Sequence, residues 1–215
     1  MTAADRDALV KALLDTRGRT FCEELGIDIS GGSASALFRW LVAALLFSAR
    51  IDAGIALRAA RALSEAGMTT PGAMADAGWQ ARVAVLNGAG YARFDERTAT
   101  MLGESCALLL DRYGGDLGRL REEADRSPGE ERKRIKEFKG IGDVGADIFF
   151  REAQIPWPEN RPFADHAAVD AASTMGLPGT AEGLAALVAE EDFPRLVAAL
   201  VRTRLAGDAA TFPNR

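Results

Sequence analysis

Cysteine is scarce in this 215-residue chain, which has only Cys22 and Cys106. Two thiols cannot supply the four thiolates an iron–sulfur cluster takes from its protein. A disulfide between them is not expected in a reducing compartment. Histidine is scarcer still, with His166 alone, so a Cys/His zinc site is not expected. Long apolar runs are also missing. The longest, Leu41 to Phe47, lies between Arg39 and Arg50 and falls well short of the ~20 residues of a membrane span. The opening residues, MTAADRDALVKALL, lack the basic-then-apolar order of a signal peptide. A cytoplasmic protein without membrane association or bound cofactor is expected.

There is no excess of positive charge. Lys and Arg number 26 against 31 Asp and Glu, for a net charge of −5 and a pI of about 5.1. This counts against nucleic acid as a partner, because duplex DNA is met first through its phosphates. A local basic patch can still act within an acidic protein. Strand signals are nearly absent as well, since no segment alternates cleanly with β-branched and aromatic residues. No internal repeat or low-complexity segment interrupts the chain.

What is present is helical periodicity, in a chain 48% hydrophobic and 27% charged, ordinary for a soluble protein with one large core or two small ones. Val10, Leu13 and Leu14 form one apolar stripe. Leu37, Trp40, Leu41, Ala44, Leu45 and Phe47 belong to a helix apolar almost all round, which predicts burial. Ile55, Ala59, Ala62 and Leu63 follow at helical spacing, then Val83 to Leu86. Met101 to Leu110 run on to a stop at Tyr113-Gly114-Gly115. Leu184 to Val188 and Phe193 to Leu205 finish the chain. Pairs such as Gly31-Gly32, Pro71-Gly72 and Pro178-Gly179 read as breaks between helices. The expectation is an all-α architecture of about ten helices joined by short loops.

The richest segment is PGEERKRIKEFKGIGDVGADIFFREAQ, from Pro128 to Gln154. A charged helix turns Ile135 and Phe138 inward and ends at Lys139-Gly140-Ile141-Gly142. A second helix begins near Asp143 and runs through Val144, Ile148 and Phe149. Two glycines around one aliphatic residue allow a tight reversal, because glycine accepts φ > 0. Ile141 then plugs the space between the helices. Exposed N–H groups at such a hairpin suit an anion, and a DNA phosphate fits without any base being read. Taken alone, the same residues describe a helical hairpin with a glycine turn and no ligand. Glu130, Glu131 and Glu137, interleaved with Arg132, Lys133, Arg134 and Lys136, also describe a solvated helix face.

The order of features around this hairpin resembles the endonuclease III branch of the helix-hairpin-helix DNA glycosylases. The family's L-P-G-V-G is similar to Phe138-Lys139-Gly140-Ile141-Gly142, and its V-D-T-H to Ala164-Asp165-His166-Ala167. Met175-Gly176 stands where members carry Leu-Gly. Upstream, Leu45-Leu46-Phe47-Ser48-Ala49-Arg50 resembles L-L-S-A-Q, and Gly90-Tyr91-Ala92-Arg93-Phe94 resembles G-L-Y-N-S-K.

The resemblance implies two helical lobes with a DNA-binding cleft between them. One would span 33–156, with the helix-hairpin-helix at about 128–154; the other would join 1–32 to 157–215. It implies damaged or mismatched duplex DNA as partner, and a monomer is expected. Asp165 matches the catalytic aspartate. Breaking the bond between base and deoxyribose builds positive charge on the sugar, and a carboxylate stabilises that charge or orients the attacking water. Read without the resemblance, Asp165 is a helix N-cap. Lys139, Gly140, Ile141 and Gly142 would hold phosphate. Arg50 matches a residue that enters the space left by a flipped base. Tyr91, Arg93, Val144 and His166 would lie near the pocket, with Tyr91 equally at home in a core.

The chain also departs from the family. Val144 stands where bifunctional members carry the lysine that forms a Schiff base, so that nucleophile is missing and the implied activity is hydrolysis without strand cutting. Asp143 would cap the second helix but repel phosphate. Asp170 stands where arginine is common, and the cluster cysteines are absent. Two further readings stay open: a non-catalytic binder of damaged or branched DNA, and an all-helical interaction module without nucleic acid.

Overall fold

The computed structural model describes residues 1–212. Among them no strand occurs, and thirteen α-helices and two short 3₁₀ turns carry the chain. The chain divides into two compact units, Met1–Glu24 with Phe150–Arg215, and Leu25–Phe149. The first joins both ends of the chain. The second division point falls inside a helix.

The Leu25–Phe149 unit is built on α3 (Ala34–Phe47), which starts where Ser33 Oγ accepts the N–H of Ala36. Ten of its fourteen residues are buried, as its all-round apolar sequence requires. Trp40 is fully buried and its indole N–H donates to the Phe149 carbonyl at 2.8 Å, satisfying the one polar atom an indole brings into a core. Helix α4 (Ala53–Glu65) packs on α3. Helices α5 (Pro71–Asp76) and α6 (Gly78–Gly88) pack on α7 (Asp95–Tyr113). The Pro71-Gly72 pair therefore opens a helix instead of breaking one. Thr70 caps it and Pro71 takes its first position, where a missing N–H costs nothing. Helix α7 stops as expected, at Gly114 with φ 60°. The short α8 (Leu117–Glu123) and α9 (Pro128–Ile135) lead to the hairpin and to α10 (Asp143–Ala153).

The other unit is organised by α13 (Phe193–Ala206), which packs on α1 (Ala3–Arg17) and α11 (His166–Thr174). Phe193, Leu196, Val197 and Leu200 are buried at the i, i+3, i+4, i+7 positions of one helical face. The one-turn spacing of Val10 and Leu13 buries the matching side of α1. Phe150 packs against Trp157 and Phe163, with ring centroids 6.2 and 6.1 Å away. The four-residue α2 (Phe21–Glu24) begins on the fully buried Glu152, whose carboxylate accepts the N–H groups of Phe21 at 2.5 Å and Cys22 at 2.7 Å. Burial pushes the Glu152 carboxyl above its ordinary value, against the opposing pull of these hydrogen bonds and of Arg151. Helix α12 (Ala181–Ala185) completes the unit and ends earlier than the expected Val188.

Candidate functional site

The hairpin after α9 closes much as its sequence suggests. Ile135, Phe138 and Ile141 are buried, and Ile141 N–H donates to the Phe138 carbonyl at 3.0 Å. The two glycines are unequal. Gly140 has φ +89°, and an added Cβ would meet Met101 Sδ at 2.9 Å. Gly142 has no such φ and open space around its Cα, so only Gly140 needs to be glycine. Gly142 carbonyl accepts the N–H of Ala146, which makes Asp143 the first residue of α10 and not its cap.

The charges of this segment are largely spent on one another. Arg132 pairs with Asp147 at 2.7 Å, Lys136 with Asp143 at 2.6 Å, Arg134 with Glu123 at 3.2 Å, and Lys133 with Glu130 at 3.6 Å. The hydrogen bond from Lys136 and its charge, with help from Arg132, hold the exposed Asp143 carboxyl below the usual carboxylate range. Lys139 is exposed and pairs with no carboxylate among the described residues; only its carbonyl is engaged, by Ser105 Oγ at 3.3 Å. Val144 is 62% exposed, while Ile148, one turn further along, is buried. The two residues share a face of α10, but that face leaves the core at the first turn of the helix.

Beside the hairpin, within the same unit, lies a pocket of about 300 Å³. It brings together three residues from three separate sequence motifs: Arg50 after α3, Tyr91 before α7, and Gly140 of the hairpin. Tyr91 forms its floor. This side chain is fully buried and its hydroxyl donates to the Leu46 carbonyl at 3.2 Å. Burial raises the phenol's pKa, against a hydrogen bond with the Thr98 side chain, so Tyr91 is a structural hydroxyl. Sequence reasoning missed Phe94, Arg97 and Met101, which also line the pocket. The i, i+4 spacing of Arg97 and Met101 on one helix face was the available signal. Arg93 does not line the pocket; it lies over the Phe94 ring, 5.2 Å from its centroid.

Asp165 and His166 belong to the other unit. His166 is exposed as the first residue of α11. Asp165 is the N-cap of that helix, with Oδ1 accepting the Ala168 N–H at 2.9 Å. Its other oxygen, Oδ2, accepts from Arg151 Nε at 3.1 Å and also from Arg151 Nη2. Gln154 ties the preceding segment to α10. Its Nε2 donates to the Phe163 carbonyl at 2.9 Å and its Oε1 accepts the Phe163 N–H at 3.0 Å. Asp170, further along α11, pairs with Arg204.

The chain does not offer a four-thiolate cluster site, since its two cysteines lie one in each unit, both buried. Among the described residues no group of three or more His, Cys, Asp or Glu side chains is placed to hold a metal. Nor is any helix among them long and apolar enough to cross a membrane.

No protein-family model matches the chain, and no curated protein matches it in sequence. Among solved structures, it is similar to a trapped endonuclease III–DNA covalent intermediate, an estranged-adenine complex. The TM-score is 0.54 at 14% identity, over 94% of this chain and 86% of that one. The chain has the endonuclease III fold.

Proposed function

We propose that the protein binds damaged or mismatched duplex DNA and hydrolyses the N-glycosidic bond of one base, leaving the strand uncut. The observation that carries this reading is the likeness of fold, over nearly the whole chain, to an endonuclease III held on DNA. The exposed Lys139-Gly140 turn agrees with it, as a place for phosphate that reads no base. The target nucleotide has to leave the stack, at a cost of a few kcal/mol. Asp165 is the carboxylate assigned to the charge that develops on the sugar, with water as the nucleophile. Val144 has no amine, so the covalent route through a Schiff base is closed at that position.

A second reading, a non-catalytic binder of damaged or branched DNA, is favoured by one specific observation. Both oxygens of Asp165 are already engaged, by Arg151 and by the Ala168 N–H, and its side chain is 4% exposed. In this arrangement Arg151 and the Ala168 N–H compete with any water or sugar for the carboxylate.

The test is a panel of lesion-bearing duplexes, with alkali to reveal abasic sites and borohydride to trap covalent adducts. The expected result is alkali-sensitive sites without adduct. An efficient adduct overturns the monofunctional assignment. Salt-dependent binding with no alkali-sensitive site on any lesion selects the non-catalytic binder. Affinity that is absent, or indifferent to salt, overturns both and leaves an interaction module.

A further inference from the structure

The carboxylate of Asp165 has more partners than its place in the chain requires. As the N-cap of α11 it needs one oxygen, and Oδ1 fills that role by accepting the Ala168 N–H at 2.9 Å. An asparagine or serine would cap as well and bring no charge into the core. Oδ2 is nonetheless met by Arg151, through Nε at 3.1 Å and through Nη2. Both side chains are buried, and stripping water from such a pair offsets most of its attraction. Neither capping nor net stability accounts for this arginine.

The way the guanidinium sits points to another role. Arginine commonly meets a carboxylate fork to fork, with one N–H on each oxygen. Here both N–H groups converge on Oδ2, while Oδ1 is turned to the first turn of α11. A carboxylate offers about four acceptor sites, two on each oxygen. Arg151 fills those of Oδ2 and Ala168 takes one of Oδ1, which leaves a single acceptor site, on Oδ1. A cation that blocked the group would close both oxygens; this one leaves one direction open.

Arg151 is itself held from more than one side. It belongs to the last turn of α10, beside the fully buried Glu152. Its guanidinium carbon lies 5.8 Å from the centroid of the Phe21 ring, and Glu152 fixes that residue by accepting the Phe21 N–H. Gln154, just past the helix, pins the backbone of Phe163, two residues before Asp165. One helix end therefore sets both the chain path into Asp165 and the angle of its carboxylate. All of these residues lie in the same unit.

We infer that Arg151 is a positioning residue: by saturating Oδ2 it fixes the Asp165 carboxylate so that Oδ1 alone is available to the reacting sugar or water. The inference rests on the reading of Asp165 as the carboxylate of base excision. Lysine is a compact point charge without the planar fork. It keeps the pair's charge and lets the carboxylate turn. Misplacing a reacting group by about an ångström costs on the order of a hundredfold in rate.

The experiment has two arms, both on the full chain. In the first, arginine is labelled with ¹⁵N, and the Arg151 Nε–H signal is assigned by its loss in Arg151→Lys. That signal should be displaced in Asp165→Asn; an unmoved signal overturns the inference, because the fork is then not on Asp165. In the second, single-turnover excision and duplex affinity are measured side by side on a lesion that the parent excises. Arg151→Lys should slow excision by about a hundredfold and leave affinity unchanged, a division that a loss of folded protein does not produce. Arg151→Gln, which also lacks the fork, is the second variant should the first fail to fold. Arg202→Lys is the control, since Arg202 also lies over Phe21 but hydrogen-bonds to Glu24 and the Arg19 carbonyl. An unchanged rate in Arg151→Lys overturns the positioning role and leaves the glycosylase. A faster rate overturns it too and makes Arg151 a block on the carboxylate. No excision by the parent on any lesion removes the glycosylase reading and this inference with it, whatever the first arm shows.

Discussion

Arg151 and Asp165 form a buried ion pair within one unit, with Nε 3.1 Å from Oδ2 and side chains only 7% and 4% exposed. The carboxylate that the family resemblance assigns to catalysis is thus also a cap for α11 and the partner of a buried cation. A buried pair is weak evidence for net stability, because desolvation offsets the attraction, but breaking it strands one charge. Loss of excision on altering Asp165 alone would therefore not separate chemistry from folding.

Arg151→Ala should lower stability by about 3–5 kcal/mol, read from the midpoint of urea unfolding. The double variant Arg151→Met with Asp165→Asn should recover most of this. Neutral groups of similar size replace the charges, and asparagine still caps. If the double variant folds and excises bases at the parental rate, Asp165 is not the catalytic carboxylate.

Gly140→Ala and Gly142→Ala should part company. The first forces a Cβ into φ +89° and toward Met101 Sδ, at a cost of about 1–3 kcal/mol. The second meets open space and should stay within about 0.5 kcal/mol of the parent. Thermal unfolding of both variants side by side checks this, and equal losses would contradict the assignment of the turn to Gly140.

Cys106 should resist thiol reagents in the folded protein. The side chain is fully buried, and burial pushes the thiol up to about 11, against a smaller opposing influence from Arg82. At neutral pH almost no thiolate exists to react. A disulfide-exchange reagent should label it slowly in buffer and rapidly in denaturant. Fast labelling of Cys106 without denaturant would show that the core of this unit opens.

Glu152 should make stability fall as pH rises. Its folded carboxyl lies above the ordinary value of 4.5, so between that value and the higher folded one the native state holds more proton than the unfolded chain. Its contribution is greatest below the ordinary value and declines upward through the window. Glu152→Gln removes this titration. The difference in unfolding free energy between parent and variant should shift in favour of the variant as pH rises from about 4.5. A difference independent of pH would refute the assignment.

Much of the architecture is local and therefore legible in the chain itself. The all-round apolar run of α3, the Gly114 stop of α7 and the inward pair Ile135 and Phe138 follow from periodicity and backbone preference, which neighbours along the sequence decide. So does the absence of an amine at Val144 and of four thiolates anywhere, since composition bounds chemistry before any fold is known. The Pro71-Gly72 pair was misleading because proline breaks a helix interior but suits a first turn, and only the Thr70 cap tells the two apart.

Partnership was settled by the tertiary structure alone. Nothing in the sequence marks Arg151, fourteen residues before Asp165, as the side chain that occupies its carboxylate. Nor does it say that Arg97 joins Arg50 at one pocket while Arg132 and Lys136 are neutralised beside it. Residue type limits what a group can do and can be read one position at a time. Whether a charge is free depends on which opposite charge the packing of distant helices brings within a few ångströms.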